Sequence, residues 1–562
     1  FQAEDGIRDR SPSRGLGDVY KRQIYSNMNL MVTQHDPTDI LIIGAGASGA
    51  AVMWDLSQAG FKVVCLEQGS RIQADKYPVN HPNWEELALN DWNYNPNIRK
   101  NSSDYPINTE NTDINPLMFN AVGGSTIHWT AHIPRFHPSD FNVKSIDGIA
   151  DDWPINYWDL EPYYDKNDEM MGVSGINGDP ANPKRSKRQM PPLPLGNEGE
   201  LIANAFDSLG WHWWPSDANV NSIDYKGRKA CNMCGPLGHG CPRQSKASTD
   251  ITYVPYAIKN GAELRVRARV SKIETNNKGK VTGALYYDKD NNEHFQPANG
   301  IVLAMNGIGT PRILLNSSSN NSPNGLSNSS GQVGKNLMFH VYANAQGIFD
   351  NIKETYKGPL ATIIMSQEFY ESDKKRGFYR GYTFQMNRGM GGPIHVSKSV
   401  DWGKNHHNEF KKKFGKHLGL GICGDDLPEE SNYVELDPIL KDSNGIPSPK
   451  INYKVSKNSR KLLAHGLKNA EIVLKEAGAS EIIKSEHDSE AGWHLMGTAR
   501  MGKDPKNSVV NENCQSHDLE NLFIVDGSVF VTGGGVNPTP TIQAIALKTS
   551  DYIIKSRTDL KS

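Results

Sequence analysis

Ile40-Leu41-Ile42-Ile43 is an unbroken apolar run of strand length, the pattern of a strand covered on both faces in a parallel sheet. It runs straight into Gly44-Ala45-Gly46-Ala47-Ser48-Gly49, and an alanine-rich helical stretch continues through Leu56 until Gly60 stops it. Val63-Val64-Cys65-Leu66 is a second apolar strand, closed by Glu67. The span from Ile40 to Glu67 has the length of a βαβ crossover, roughly 30 residues. Near the other end, Leu522-Phe523-Ile524-Val525 reads as another strand, followed by Asp526-Gly527-Ser528. Ile542, Ile545, Ala546, Thr549 and Ile553 then share one face of a helical period, with Pro540 at the entrance, where a missing N–H costs nothing.

The middle of the chain has a different texture. From about Val341 to Glu490 the glycine-rich signals vanish. Extended segments such as Asn432-Tyr433-Val434-Glu435-Leu436 precede a helix predicted near Lys461 to Ala477. Asn316 to Gly331 is a polar surface loop by composition, and no internal repeat is present.

In its strand–turn–helix–strand setting, G-x-G-x-x-G has a physical reading residue by residue. Gly44 makes the turn, Gly46 lets a pyrophosphate approach the backbone, and Gly49 allows the helix to pack closely on the strand. The helix N-terminus offers free N–H groups and a positive dipole to the diphosphate. Glu67 is placed to bond an adenosine ribose hydroxyl and would repel a 2′-phosphate. These residues alone leave NAD and FAD both open.

Length and charge narrow the class. At 562 residues the chain exceeds one ordinary domain, and 61 Lys and Arg against 63 Asp and Glu give a formal charge of −2. That balance argues against a nucleic-acid partner, and no apolar run is long enough to span a bilayer. The residues before Met28 show neither periodicity nor the apolar stretch of a signal peptide. We expect residues 1–37 to form a tail, disordered or artefactual, with the protein's own sequence starting at Met28 or Met31.

Several separated motifs together resemble the glucose–methanol–choline (GMC) family of flavin oxidoreductases. They are GAGASG with Glu67, Gly123-Gly124-Ser125, DDWPINYWDLEPYY around Trp153, GIGTPRILL around Pro311, HLMGTARMG from His494, and NPTPT from Asn537. The resemblance runs from about Thr38 to Ile554 and implies FAD as cofactor. It implies His494 and Asn537 as the catalytic pair, with His494 as base for hydride transfer from an alcohol to flavin N5. The chemistry suits them: neutral imidazole can take a hydroxyl proton near pH 7, and the Asn amide can donate to the developing alkoxide. The start of the last helix is expected to face the flavin. The resemblance adds Ser48, Gly123, Gly124, Ser125, Val270, Asp526, Gly527, Pro538 and Thr539 to the cofactor-binding positions.

It also implies the architecture, which is α/β. A discontinuous Rossmann-type FAD domain draws on residues 38–340 and 491–562, with inserted substrate-domain segments in the first part. An α+β substrate domain with an antiparallel sheet occupies residues 341–490.

Gly123-Gly124-Ser125-Thr126-Ile127-His128-Trp129-Thr130 is similar to the pyranose oxidase and sugar dehydrogenase branch, some of whose members attach flavin covalently to this histidine. His128 is therefore a candidate linking residue, and a sugar or glycoside oxidised at a secondary hydroxyl is the expected substrate. A simple primary alcohol is the alternative, and a non-catalytic flavin-binding subunit is the alternative of another class. An electron-accepting protein or small subunit is a candidate partner.

Cys231, Cys234 and Cys241, with His239 between the last two, form a cluster. Structural thiols are the leading expectation, with no metal bound. A three-iron cluster, implied by some related dehydrogenases, comes second, and zinc third. Cys65, Cys423 and Cys514 are scattered, consistent with a reducing compartment and so the cytoplasm. A periplasmic complex is the alternative.

Overall fold

The computed structural model describes residues 32–235, 237–359, 363–388 and 392–562. The expectation about the start of the protein falls on residues outside that range, apart from a short strand at Thr33–Gln34 that pairs with the main sheet.

The apolar runs become the centre of that sheet. Strand Thr38–Ile43 lies between Val63–Glu67 and the second half of Glu293–Leu303, parallel to both. Leu522–Ile524 joins the far side of Glu293–Leu303, and Glu263–Val266 extends the opposite edge, also in parallel. Ile40, Leu41 and Ile42 are completely buried. Each contributes about 1.5–3 kcal/mol by leaving water, enough to offset the roughly 1–2 kcal/mol of backbone entropy lost per residue. The first half of Glu293–Leu303 pairs antiparallel with Val281–Tyr287, which pairs with Arg269–Thr275. The sheet is therefore assembled from three separated stretches of chain.

The helices Ala47–Gln58, Tyr157–Met171, Tyr253–Lys259 and Thr539–Ser556 pack against one another beside this sheet. Helix Ala47–Gln58 begins directly at Gly46. A Cβ on Gly49 would lie 1.9 Å from the Gly44 carbonyl, so only glycine lets the helix approach the turn.

The middle segment forms a second sheet, antiparallel throughout. Its order is Glu481–Ser485, Val341–Ile348, His417–Gly424, Tyr382–Arg388, Ile364–Ser366 and Trp214–Pro215. The predicted helix appears as Lys457–Glu476, with the Ser456 side chain accepting from Ser459 N–H, and it covers one face of this sheet. Val341, Ala343 and Ala345 are buried in the core. By the two-residue period of a strand, Tyr342 projects to the opposite face. A smaller sheet joins Tyr433–Lys441, Pro447–Tyr453 and Asn108–Thr112.

Each sheet has its own hydrophobic core. Leu495 belongs to the core of the antiparallel sheet, and Met496 to that of the parallel sheet. His494 therefore stands at the seam between them.

Candidate active site

A long cleft with about 1590 Å³ of empty space, its open mouth included, runs along this seam. Gly44, Gly46, Ser48, Glu67, Gly124, Ser125, His128, Val270, His494, Asp526, Gly527, Pro538 and Thr539 all line it. Gly49, Gly123 and Asn537 are not on its wall. Gly123 instead donates its N–H to the Ala45 carbonyl at 2.9 Å, fastening one glycine turn to the other.

At one end the strand Val63–Glu67 delivers Glu67. Its carboxylate accepts from Ala45 N–H at 2.9 Å and Gly69 N–H at 2.8 Å, yet burial still pushes it up to about 7. A Cβ on Gly46 would meet no protein atom within 4 Å, leaving open space directly over the N-terminus of helix Ala47–Gln58. Asp526 serves its own loop: it accepts from Ser528 N–H at 2.9 Å and Thr310 Oγ1–H at 2.6 Å, and burial raises its carboxyl.

His128 sits further along in an aromatic cage. The rings of Phe119, Tyr94, Trp92 and His239 lie 4.0, 5.0, 5.7 and 5.8 Å away. Neither of its nitrogens has a hydrogen-bond partner in the protein. Burial, followed by the nearby His239, Lys246 and Arg99, holds it well below the usual imidazole range. A buried imidazole with two unmet nitrogens is costly unless something in the cleft meets one of them.

His494 is brought next to His340, Nδ1 to Nδ1 at 2.7 Å with the rings 86° apart. Burial, then His340 and His132, holds it well below its ordinary value, so it is neutral near pH 7. Asn537 is buried, and its Oδ1 accepts from Gln385 Nε2 at 2.6 Å. Tyr342 stands near both: its ring lies 6.2 Å from that of His494, and its hydroxyl is close enough to Asn537 to feel that side chain. Thr383, two residues before Gln385 and on the same face of its strand, donates to the Gly535 carbonyl at 2.7 Å. The antiparallel sheet thus grips the segment carrying Asn537.

His340, Tyr342 and Gln385 are absent from the sequence reading. Tyr342 and Gln385 sit on strands of the middle segment and His340 directly precedes one, with no motif or spacing connecting them to His494, and only the sheet register brings them in.

Among the described residues, no group of three or more His, Cys, Asp or Glu side chains is gathered as for a metal. Cys231, Cys234 and Cys241 are free thiols, and His239 is packed among Trp84, Tyr94 and His128.

Residues 38–342 match the N-terminal domain of the GMC oxidoreductases, and residues 428–546 match the C-terminal domain. The chain belongs to that family. This GMC oxidoreductase is 41% identical over 541 residues to the 2-methyl-1,2-propanediol dehydrogenase of Mycolicibacterium austroafricanum, covering 94% of this chain and 97% of the relative. It is 29% identical over 545 residues to the fructose dehydrogenase large subunit of Gluconobacter japonicus, covering 93% and 98%. Among solved structures, pyridoxine 4-oxidase from Mesorbium loti shares the fold, with a TM-score of 0.60 at 17% identity over 92% of this chain and 98% of that one.

Membership makes the protein an FAD-dependent oxidoreductase of alcohols or sugars. The cleft fits that cofactor chemically. The open space over Gly46 and the adjoining helix N-terminus suit a diphosphate, and Glu67 can accept from a ribose hydroxyl. The unpartnered His128 and the start of helix Thr539–Ser556 border the remainder of the cleft.

Proposed function

We propose that this GMC oxidoreductase dehydrogenates small alcohols bearing neighbouring hydroxyls, either a diol or a sugar. The observation that carries the reading is the cluster of His494, Tyr342, Asn537 and Gln385 at the seam of the two sheets. Bound FAD supplies the two-electron acceptor for the hydride leaving the carbinol carbon. His494, neutral through burial, takes the hydroxyl proton. Asn537, its carbonyl end occupied by Gln385, presents its amide hydrogens to the substrate oxygen. The Tyr342 hydroxyl provides a further polar anchor for a second substrate hydroxyl.

Two relatives support the substrate class, since one is named for a diol and the other for a sugar. In 2-methyl-1,2-propanediol only C1 carries a carbinol hydrogen, so that compound probes a primary hydroxyl. The sugar reading, drawn from the segment around His128, places oxidation at a secondary hydroxyl. Anaerobic mixing of the holoenzyme with this diol, fructose, a methyl glycoside, choline and benzyl alcohol separates the readings. Bleaching of the oxidised flavin by the diol or a sugar is expected. Bleaching by choline or benzyl alcohol alone would overturn the proposal, and no bleaching by any alcohol would favour a non-catalytic subunit.

A further inference from the structure

His340 directly precedes the strand Val341–Ile348 and is completely buried, yet both of its nitrogens are engaged. Its Nε2 lies 2.6 Å from the Gly534 carbonyl oxygen. A carbonyl can only accept, so Nε2 carries the hydrogen and donates it. Burial holds His340 down to about 4, so near neutral pH it bears that single hydrogen and its Nδ1 has a lone pair. His494 Nδ1 stands 2.7 Å from that lone pair. The hydrogen between them must belong to His494. A neutral imidazole has one hydrogen, so His494 Nε2 is bare.

We propose that His340 is the positioning residue that locks His494 in its Nδ1–H tautomer and so leaves Nε2 as the atom that takes the substrate proton. The inference rests on the reading of His494 as base. When Nε2 gains the proton, the Nδ1–H···Nδ1 contact becomes charge-assisted, so the same bond stabilises the imidazolium as it forms.

The anchor for this lock is built into the glycine run before Asn537. Gly534 has φ +63°, and a Cβ there would lie 3.2 Å from the Phe136 ring and 3.3 Å from Asp140 Oδ2. Glycine is therefore needed to turn that carbonyl toward His340. Gly535 is pinned in turn, donating its N–H to Tyr370 Oη at 3.1 Å and accepting from Thr383 Oγ1 at 2.7 Å. The segment bearing the carbonyl that fixes His340 is thus held by Thr383 of the same sheet whose strand Val341–Ile348 follows His340 directly.

The test compares wild-type holoenzyme with His340→Leu, His340→Asn and His494→Ala, using selective ¹⁵N-histidine labelling and anaerobic stopped-flow reduction. In the wild type, His494 should show a protonated Nδ1 and a bare Nε2, the signals being assigned by their loss in His494→Ala. In His340→Leu the hydrogen should redistribute toward Nε2. Flavin reduction should then fall roughly 10- to 10³-fold, short of the about 10⁴-fold that a complete loss of the correct tautomer can cost, with KM changed far less. Asn places an acceptor oxygen near the position of Nδ1, so His340→Asn should recover most of the rate and the Nδ1–H signal. If His340→Leu fails to bind FAD, His340→Phe keeps the ring without the acceptor and carries the same comparison.

Wild-type reduction rates in the Leu or Phe variant would overturn the proposal. So would equal slowing in Asn and Leu with the His494 tautomer unchanged, the signature of a purely structural role. If His494→Ala itself reduces flavin normally, the base assignment has failed instead.

Discussion

Gln385 Nε2 donates to Asn537 Oδ1 at 2.6 Å, joining a strand of the antiparallel sheet to a loop of the FAD domain across 152 residues of chain. On the proposed reading of Asn537 as a donor to the substrate oxygen, the bond decides which end of its amide is free to donate. Gln385→Leu removes the donor and lets the amide rotate. A single hydrogen bond is worth about 1 kcal/mol, so the limiting rate of flavin reduction should fall roughly fivefold with FAD content unchanged. Asn537→Ala should cost more, because it deletes the donor itself. A Gln385→Leu rate equal to wild type in stopped-flow would contradict this.

His494→Ala should retain FAD but reduce it about 10²- to 10⁴-fold more slowly, the usual contribution of a positioned base. The readout is the reduction rate at saturating alcohol, with flavin stoichiometry as the control.

The pH dependence follows from the same residue. His494 is held well below its ordinary value of 6.5, so it is already neutral at pH 6.5 and above. The reduction rate should therefore be flat from about pH 6.5 to 8 and drop only on further acidification, when the imidazole becomes protonated. A rate still climbing steeply with pH across that window would contradict the neutral-base assignment.

Glu67 predicts a different pH effect, on cofactor binding. In the free protein burial raises its carboxyl from 4.5 to about 7. Between those values the folded apoprotein holds more protons than the unfolded chain, so this group's contribution to stability declines as pH rises through the window. A ribose hydroxyl donating to the carboxylate lowers its pKa again. FAD binding therefore releases a proton below about pH 7, and apoprotein affinity should rise with pH up to that point and level off above it. Glu67→Ala should remove the pH dependence and weaken binding by about 1.5–3 kcal/mol, as for a lost charge-assisted bond. Titration of apoprotein with FAD at several pH values measures both.

His128 is buried and neutral, with both nitrogens unpartnered on the cleft wall. Acid precipitation is expected to leave flavin attached to the wild-type polypeptide and to release it from His128→Ala. In-gel flavin fluorescence reads the difference, and flavin released equally from both proteins would leave His128 as a packing contact.

The dinucleotide half of the fold was legible in the sequence because its information is local. A buried parallel strand needs a continuous apolar run, and its turn needs glycine at particular steps, so Ile40 to Glu67 carries its own instructions. His494 and Asn537 emerged from motif order, and the last helix from its apolar face. What the sequence could not supply is what surrounds the base. Tyr342 and Gln385 lie on strands whose composition follows sheet packing, His340 directly precedes one, and nothing in their local pattern distinguishes them from neighbouring core positions. Their meaning depends on the register of the antiparallel sheet and on how that sheet meets the Gly534–Asn537 loop. Chain segments far apart in sequence meet there through long-range pairing, which no local periodicity encodes. The sequence thus determined which residue is offered as the base, while the tertiary structure decided which of its nitrogens holds the hydrogen, because that depends on a lone pair and a carbonyl delivered by two other parts of the chain.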